Sequence, residues 1–369
     1  MERIRTSLRK KRDKPRRYVI AVASLGDYRA RVVREIRSRL GSSLTIYAGT
    51  PPYDLSIRLM NYAAEGIVPL ANRYVGTNIL IQRINITSLI QADGLIMDLN
   101  PRVPHVWLIT AARRILGRPT MLWGHAWPRS GPNAKSDRVR GWLRTLATGL
   151  VAYTESQAEG LRSRHPRKFI VAAPNALYSC REMRFNSESR RFRILYVGRL
   201  VQDKKPRILI DAFEKMARSA PNTLLTFIGD GPERASMQKR IAESPYRDRI
   251  EMPGYISEFE KLRPFYDESL VSVSPGYVGL SITQSLAFGV PMLISRDENH
   301  SPEIECAVEG FNSRFFETDN PESLAAALLE FVNQAEAWRQ RGPEIASDCA
   351  RRYSVERMAG GLMQALVGE

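Results

Sequence analysis

Two successive series of short apolar runs, each run followed by a loop and a helical pattern, constrain this chain more than any other feature. The first series comprises "YVIAVA" (Tyr18 to Ala23), "SLTIYAG", "ADGLIMDL", "PTMLWGH", "GLVAYT" and "KFIVAAPN". The second comprises "RILYVGR", "TLLTFIGD", "RIEMPGY", "LVSVSPG" and "PMLISR". Most of these runs are apolar throughout, so a sheet built from them must be covered on both faces, which parallel strands linked by helices achieve. Helical spacing is clear between them, as at Val32, Val33, Ile36 and Leu40, over Pro206 to Ala220 and over Pro232 to Ala242. The stretch "PNALYSCREMRFNSESRRF" between the series is polar, charged and without periodicity. The predicted class is α/β, with two doubly wound, Rossmann-like domains. At 369 residues the chain also exceeds what one hydrophobic core usually serves. We divide it into a basic tail at 1–17, a first domain at 18–185 and a second at 186–353, with a helix at 354–369 open to packing back on the first domain.

No run of eighteen uncharged apolar residues occurs, so no membrane-spanning helix is predicted. The first apolar run is short, broken by Gly26 and Asp27, and lacks a small-residue cleavage pattern; it reads as a strand, not a signal peptide. Cys180, Cys306 and Cys349 are odd in number and widely spaced, which fits neither a disulfide framework nor a zinc site. Buried or incidental thiols in a reducing cytoplasm account for them.

The net charge of +16 is unevenly placed. Residues 1–150 hold 26 Lys and Arg against 9 Asp and Glu, and the remainder holds 29 against 30. A basic half beside a neutral half suggests an anionic partner, either a membrane surface or a nucleic acid. A solvated tail is the alternative, because "RKKRDKPRR" supplies much of the excess. Two segments, "DYRARVVREIRSRL" and "KSDRVRGWLRTL", set an apolar stripe (Val32, Ile36, Leu40; Val139, Trp142, Leu143, Leu146) beside arginines. Such helices can lie on an anionic membrane or can pack on the core. No aromatic and basic recognition motif is present, so no nucleic-acid partner is expected.

Chemistry concentrates in the second series. The strand "ILYVG" runs into Arg199, and Lys204 stands just before the next helix, which places two cations at the carboxyl edge of a parallel sheet, where open α/β sheets bind ligands. Two cations and a helix N-terminus suit a diphosphate, although solvated charges in such loops are common. In "SPGYVGLSITQSLAFGVPML", Gly279 allows close backbone approach, and Leu280, Ser281 and Ile282 begin a helix with free N–H groups. Gln284 lies one turn inside, able to bond a sugar hydroxyl.

"YVGRLVQDKKPRILIDAFEKM", "LLTFIGDGPER", "RIEMPGYIS", "SPGYVGLSITQSLAFGVPMLIS" and "HSPEIECAVEGFNSRFF" follow an order and spacing that resemble the C-terminal domain of the large retaining glycosyltransferase family numbered 4, with the GT-B fold. "LWGHAWPRSG" and "LVAYTESQAEGLRSR…VAAPNAL" are similar to that family's acceptor-domain signatures. The resemblance implies two Rossmann-like domains facing each other across a cleft, a nucleotide-sugar donor held by the second and an acceptor by the first. It implies that Arg199 and Lys204 grip the donor diphosphate and stabilise its leaving charge, that Ser281 and neighbouring amides hold the distal phosphate, and that Tyr255 and Ile256 lie beside the base. It implies that His125 holds a donor-sugar hydroxyl or steadies the reacting centre, and that Glu303, after His300, contacts a sugar hydroxyl. No cofactor and no metal are implied.

The chain departs from that family where two glutamates usually stand eight positions apart, because Gly276 and Gln284 occupy the places. Gln284 keeps hydrogen-bonding capacity; Gly276 supplies no carboxylate. The expected function is transfer of a sugar, with retention, to a lipid-linked or envelope-polysaccharide acceptor, in the cytoplasm and peripheral on the inner face of the membrane. The alternative is a binding or scaffolding subunit that has lost catalysis through Gly276.

Overall fold

The computed structural model describes residues 16–53, 58–76, 79–128, 131–132 and 134–368. The basic tail, apart from Arg16 and Arg17, and Arg129 and Ser130 of "LWGHAWPRSG" lie outside the described residues. The chain forms two compact units, residues 1–173 with 359–369, and residues 174–358.

The first unit is built on β1 (Tyr18–Val22), β2 (Leu44–Thr50), β3 (Val68–Val75), β4 (Ile79–Gln82), β5 (Gly94–Asp98), β6 (Met121–Gly124), β7 (Gly149–Ala152) and β8 (Phe169–Ala172). Their order in the sheet is β4-β3-β2-β1-β5-β6-β7-β8. Every pairing is parallel except β3 with β4. Ile20 pairs with Ile46 on one side and Ile96 on the other, so the order reverses direction beside β1. The helix Val355–Val367 ends against this sheet: an added Cβ at Gly94 would meet the Leu366 carbonyl oxygen at 2.0 Å.

The second unit holds β9 (Arg193–Val197), β10 (Leu224–Ile228), β11 (Ile250–Gly254), β12 (Ser269–Ser274), β13 (Met292–Ser295) and β14 (Ser313–Phe316), all parallel, in the order β11-β10-β9-β12-β13-β14. Alternation along β9 sends Ile194 and Tyr196 into one apolar cluster and Leu195 into the other, so both faces are covered. The helix Ser281–Ala287 stops at Gly289, whose φ of +70° closes the turn before Pro291 and β13.

The two basic amphipathic segments resolve differently. On the helix Ala30–Leu40, Val32, Val33 and Ile36 are buried, so that stripe serves the core and does not face an external surface. On the helix Asp137–Leu146, Leu143 is buried while Val139 and Trp142 point outward. Among the described residues, no helix is long and apolar enough to cross a membrane.

Candidate active site

In the second sheet β9 has β10 on one side and β12 on the other, so the connections leaving β9 and β12 diverge and open a crevice at their carboxyl ends. Arg199 comes from the β9 loop, exposed, one residue before the buried Leu200. The short turn Gln202–Lys204 follows, and Lys205 then adopts a left-handed conformation (φ 49°, ψ 40°) ahead of the helix Pro206–Met216. That conformation costs a non-glycine residue on the order of 1 kcal/mol. Ion pairs from the Lys205 ammonium to Glu298 and Asp319, both 2.7 Å, hold it there. Lys205 thus anchors the turn, and Lys204 faces the crevice.

Both predicted cations converge on Tyr277, a residue the sequence reading passed over. The Arg199 guanidinium donates to the Tyr277 hydroxyl at 3.0 Å. The Lys204 ammonium donates to the Tyr277 carbonyl oxygen at 2.7 Å and lies 3.7 Å from the centre of its ring. A cation over a ring face gains attraction from the quadrupole. Tyr277 is the one bulky polar side chain in "SPGYVGLS", and that contrast was its only signal.

Gly276 packs where the β9 loop crosses the β12 loop. An added Cβ would meet the Asp203 carbonyl oxygen at 2.2 Å and the Lys204 carbonyl carbon at 2.8 Å. These are backbone atoms, so no side chain fits without moving the turn that carries Lys204. Gly279 differs: its added Cβ would meet only Ser301 Oγ at 3.6 Å and Lys204 Nζ at 3.9 Å. Its missing side chain leaves open the ground beside the Lys204 ammonium. No side chain caps the first turn of Ser281–Ala287.

Gln284 is held at both ends of its amide. Its Nε2 donates to the Tyr178 hydroxyl at 2.7 Å, and its Oε1 accepts from the Tyr266 hydroxyl at 3.3 Å. Tyr266 stacks on Phe288 with ring centres 4.4 Å apart, and Phe259 stacks on the same ring at 5.2 Å. Burial raises the Tyr266 phenol well above the ordinary tyrosine value, so it remains a donor. An aromatic cluster therefore fixes the Gln284 amide, with one N–H and one lone pair left for a ligand.

His300 is a latch. Its Nδ1 accepts from the Val278 N–H at 3.0 Å, and its Nε2 bonds the Ser295 carbonyl oxygen at 2.9 Å, which fixes the tautomer with the proton on Nε2. Burial lowers its pKa, the nearby Ser295 carbonyl opposing. The Ser301 N–H returns to the Val278 carbonyl oxygen at 3.0 Å, so the loops after β12 and β13 are clamped together. Glu303 is buried and accepts from Asn175 Nδ2 at 2.8 Å. Tyr255 and Ile256 follow β11; Tyr255 is exposed, while Ile256 leans on the core. They lie two strands from β9, about 10 Å along the sheet edge.

His125 belongs to the first unit, just beyond β6, exposed, with its ring edge-on to Tyr153 at 4.7 Å and its carbonyl oxygen accepting from Arg140 at 3.0 Å. Arg29 lies over the Trp123 ring at 4.5 Å and the Tyr153 ring at 5.3 Å. Asp98, the carboxylate that ends β5, was missed. It accepts the Ala23 N–H, and burial pushes its carboxyl up to about 6 against the pull of that bond and of Arg29. His125 and Asp98 thus mark the carboxyl edge of the first sheet.

Residues 181–345 match the family model described as glycosyl transferases group 1. The GDP-mannose-dependent alpha-(1-6)-phosphatidylinositol dimannoside mannosyltransferase of Mycobacterium tuberculosis is 27% identical over 180 residues, which is 47% of this chain and 43% of that protein. The alpha-monoglucosyldiacylglycerol synthase of Acholeplasma laidlawii is 27% identical over 167 residues, 44% of this chain and 38% of that protein. The chain spans less than half the length of these curated relatives. Among solved structures, Anabaena Alr3699/HepE in complex with UDP superposes with a TM-score of 0.70 at 12% identity, covering 95% of this chain and 100% of that one. The lipopolysaccharide outer core galactosyltransferase WaaB superposes at 0.61 and 12% identity, covering 94% and 98%. At such identities the likeness is one of fold, two Rossmann-like parallel-sheet units.

Proposed function

We propose that this chain, whose residues 181–345 match the glycosyl transferases group 1 model, is a glycosyltransferase that moves a sugar, with retention of anomeric configuration, from a nucleotide-sugar donor to a lipid-linked or envelope-polysaccharide acceptor. The observation that carries the reading is the convergence of Arg199 and Lys204 on Tyr277 at the switch point of the second sheet. As the bond from sugar to phosphate breaks, negative charge gathers on the departing nucleoside diphosphate. Two cations already fixed in place stabilise that charge more than they stabilise the bound donor. The proposal gives this role to side chains and calls for no cofactor or metal.

In this reading the space over Gly279 receives the diphosphate beside Lys204, and Leu280 and Ser281 offer N–H groups to it. Gln284 contacts a ribose hydroxyl, Tyr255 and Ile256 flank the base, Glu303 contacts a sugar hydroxyl, and His125 acts on the acceptor side of the reacting sugar. The relatives named for phosphatidylinositol dimannoside and diacylglycerol products support a lipid acceptor. The basic first unit then works at an anionic lipid surface, peripheral on the cytoplasmic face, with no nucleic acid involved.

Titration calorimetry with UDP, GDP and ADP tests the donor site, and proton NMR of the product's anomeric signal tests retention. A nucleoside diphosphate that binds the parent but not the Arg199→Ala, Lys204→Ala double variant is the expected result. Absence of nucleotide binding by the parent would overturn the reading. A second reading, a binding subunit without turnover, is favoured by the lack of room for a side chain at Gly276. It predicts nucleotide affinity without transfer or hydrolysis of a radiolabelled donor.

A further inference from the structure

From Leu99 to Tyr153 the chain carries a single carboxylate, Asp137. That residue is buried and paired with Arg144 at 2.6 Å. Arg113 is also turned inward, where it bonds the carbonyl oxygens of Leu89, Ile90 and Ala92. Among the described residues of this stretch, those left exposed are apolar, neutral polar or cationic. On the helix Pro104–Ile115 and just beyond it, Leu108, Ile115 and Leu116 are exposed, Ile115 at 86%. On the helix Asp137–Leu146, Val139 and Trp142 are exposed, Trp142 at 68%.

The two helices are neighbours, tied at their C-terminal ends by Arg114, which donates to the carbonyl oxygens of Thr145 at 3.0 Å and Leu146 at 3.2 Å. Spacings of three, four and seven residues put Leu108 and Ile115, and likewise Val139 and Trp142, on one side of each helix. Around them stand Arg102, Arg114, Lys135 and Arg138, all exposed. Among the described residues none of these four is in an ion pair. An apolar centre with an indole, ringed by cations and without an outward carboxylate on either helix, matches a bilayer surface: side chains enter the acyl boundary while arginine and lysine reach lipid phosphates.

We propose that the face formed by the helices Pro104–Ile115 and Asp137–Leu146 is the surface by which this chain docks on an anionic bilayer. The inference rests on the reading that the first unit works at a lipid surface, and it assigns that contact to these helices. It excludes the buried stripe of Ala30–Leu40 and residues 1–15 as the principal contact.

Vesicle flotation of the full chain tests this, with phosphatidylglycerol and phosphatidylcholine mixed, and with phosphatidylcholine alone. The parent is expected to float with the mixed vesicles, and less so as salt is raised. Trp142→Ala should bind about tenfold more weakly. Each cation brought near an anionic surface is worth about fivefold, so a Lys135→Ala, Arg138→Ala variant should lose about twenty-five-fold. Both variants should keep the parent's UDP affinity and melting temperature. In the parent, added mixed vesicles should slow hydrogen exchange within 104–116 and 137–146, a readout independent of any variant. If the parent floats but these segments are unprotected and the variants bind normally, the face is wrong while the lipid reading stands. Loss of flotation on removing residues 1–15 alone would also overturn the face. If the parent floats with neither vesicle, the lipid reading itself fails.

Discussion

Lys204 is bound twice by one residue: its ammonium bonds the Tyr277 backbone carbonyl at 2.7 Å and lies 3.7 Å from the centre of the same residue's ring. Tyr277 therefore sets both the height and the direction of the cation, while its hydroxyl steadies Arg199. Tyr277→Phe keeps the ring and the carbonyl and loses one hydrogen bond to a charged group, worth about 1.5–3 kcal/mol at most. Nucleoside diphosphate affinity should fall about tenfold, and Tyr277→Ala should fall further because Lys204 loses its platform. Calorimetry on the three proteins ranks them; equal affinities would remove Tyr277 from the site.

Replacing the cations themselves should act on the chemical step. Arg199→Ala and Lys204→Ala should each lower turnover on the order of a hundredfold, since each removes a contact that strengthens as the leaving group gains charge. Initial rates with a radiolabelled donor provide the measurement. Near-normal turnover in a folded double variant would place the donor elsewhere.

Gln284→Ala should destabilise the second unit. It removes a hydrogen-bonding partner from two phenols, Tyr178 and Tyr266, and each bond lost is worth about 0.5–1.5 kcal/mol. Gln284→Glu should be tolerated, because a carboxylate accepts from both hydroxyls once that of Tyr178 rotates to donate. Urea unfolding of the parent and both variants checks the order; an Ala variant as stable as the parent would show that the amide is not a structural bridge.

His300 should make the clamp between the β12 and β13 loops sensitive to acid. Its folded pKa is lowered, chiefly by burial, so the unfolded chain binds the proton more readily and stability rises with pH. The contribution is complete above the ordinary histidine value of about 6.5 and is lost as pH falls below it toward the folded value. Urea unfolding between pH 8 and pH 5 should show His300→Ala with a lower plateau and a shallower acid decline than the parent. An identical slope in the two proteins would show that His300 titrates alike folded and unfolded.

The strands that the sequence made legible are those with unbroken apolar runs, such as "YVIAV" and "SLVSVS". β3 and β4 escaped because their inward positions include polar residues. Asn72 and Gln82 are buried, where Asn72 Nδ2 bonds the carbonyl oxygens of Ala23 at 2.9 Å and Pro51 at 2.8 Å, and Gln82 Nε2 bonds Asn72 at 2.8 Å. These side chains serve loop carbonyls at the end of the sheet, and hydrophobic periodicity is blind to that need. β14, "SRFF", is four residues long and carries an arginine. In the site, Arg199, Lys204 and Gly279 could be read from their places at strand ends. Tyr277, Tyr178 and the His300 latch could not, because their roles arise from contacts between loops far apart in sequence. The stripe on Ala30–Leu40 and that on Asp137–Leu146 read alike as text, and only packing told the buried one from the outward one.

Gly276 bears on how this chain can change over generations. A Cβ there would run into the backbone of Asp203 and Lys204, so any single codon change pushes on the turn that carries Lys204. A lineage carrying this interlocked pair of loops cannot recover an acidic residue at 276 one step at a time while keeping Lys204 in place. The two loops must be inherited and altered together, and variants of one are tolerated only in the company of matching variants in the other. Grafting either loop alone into another chain that matches the same family model should fail for the same reason, whereas exchanging 199–206 and 274–281 as a block should succeed.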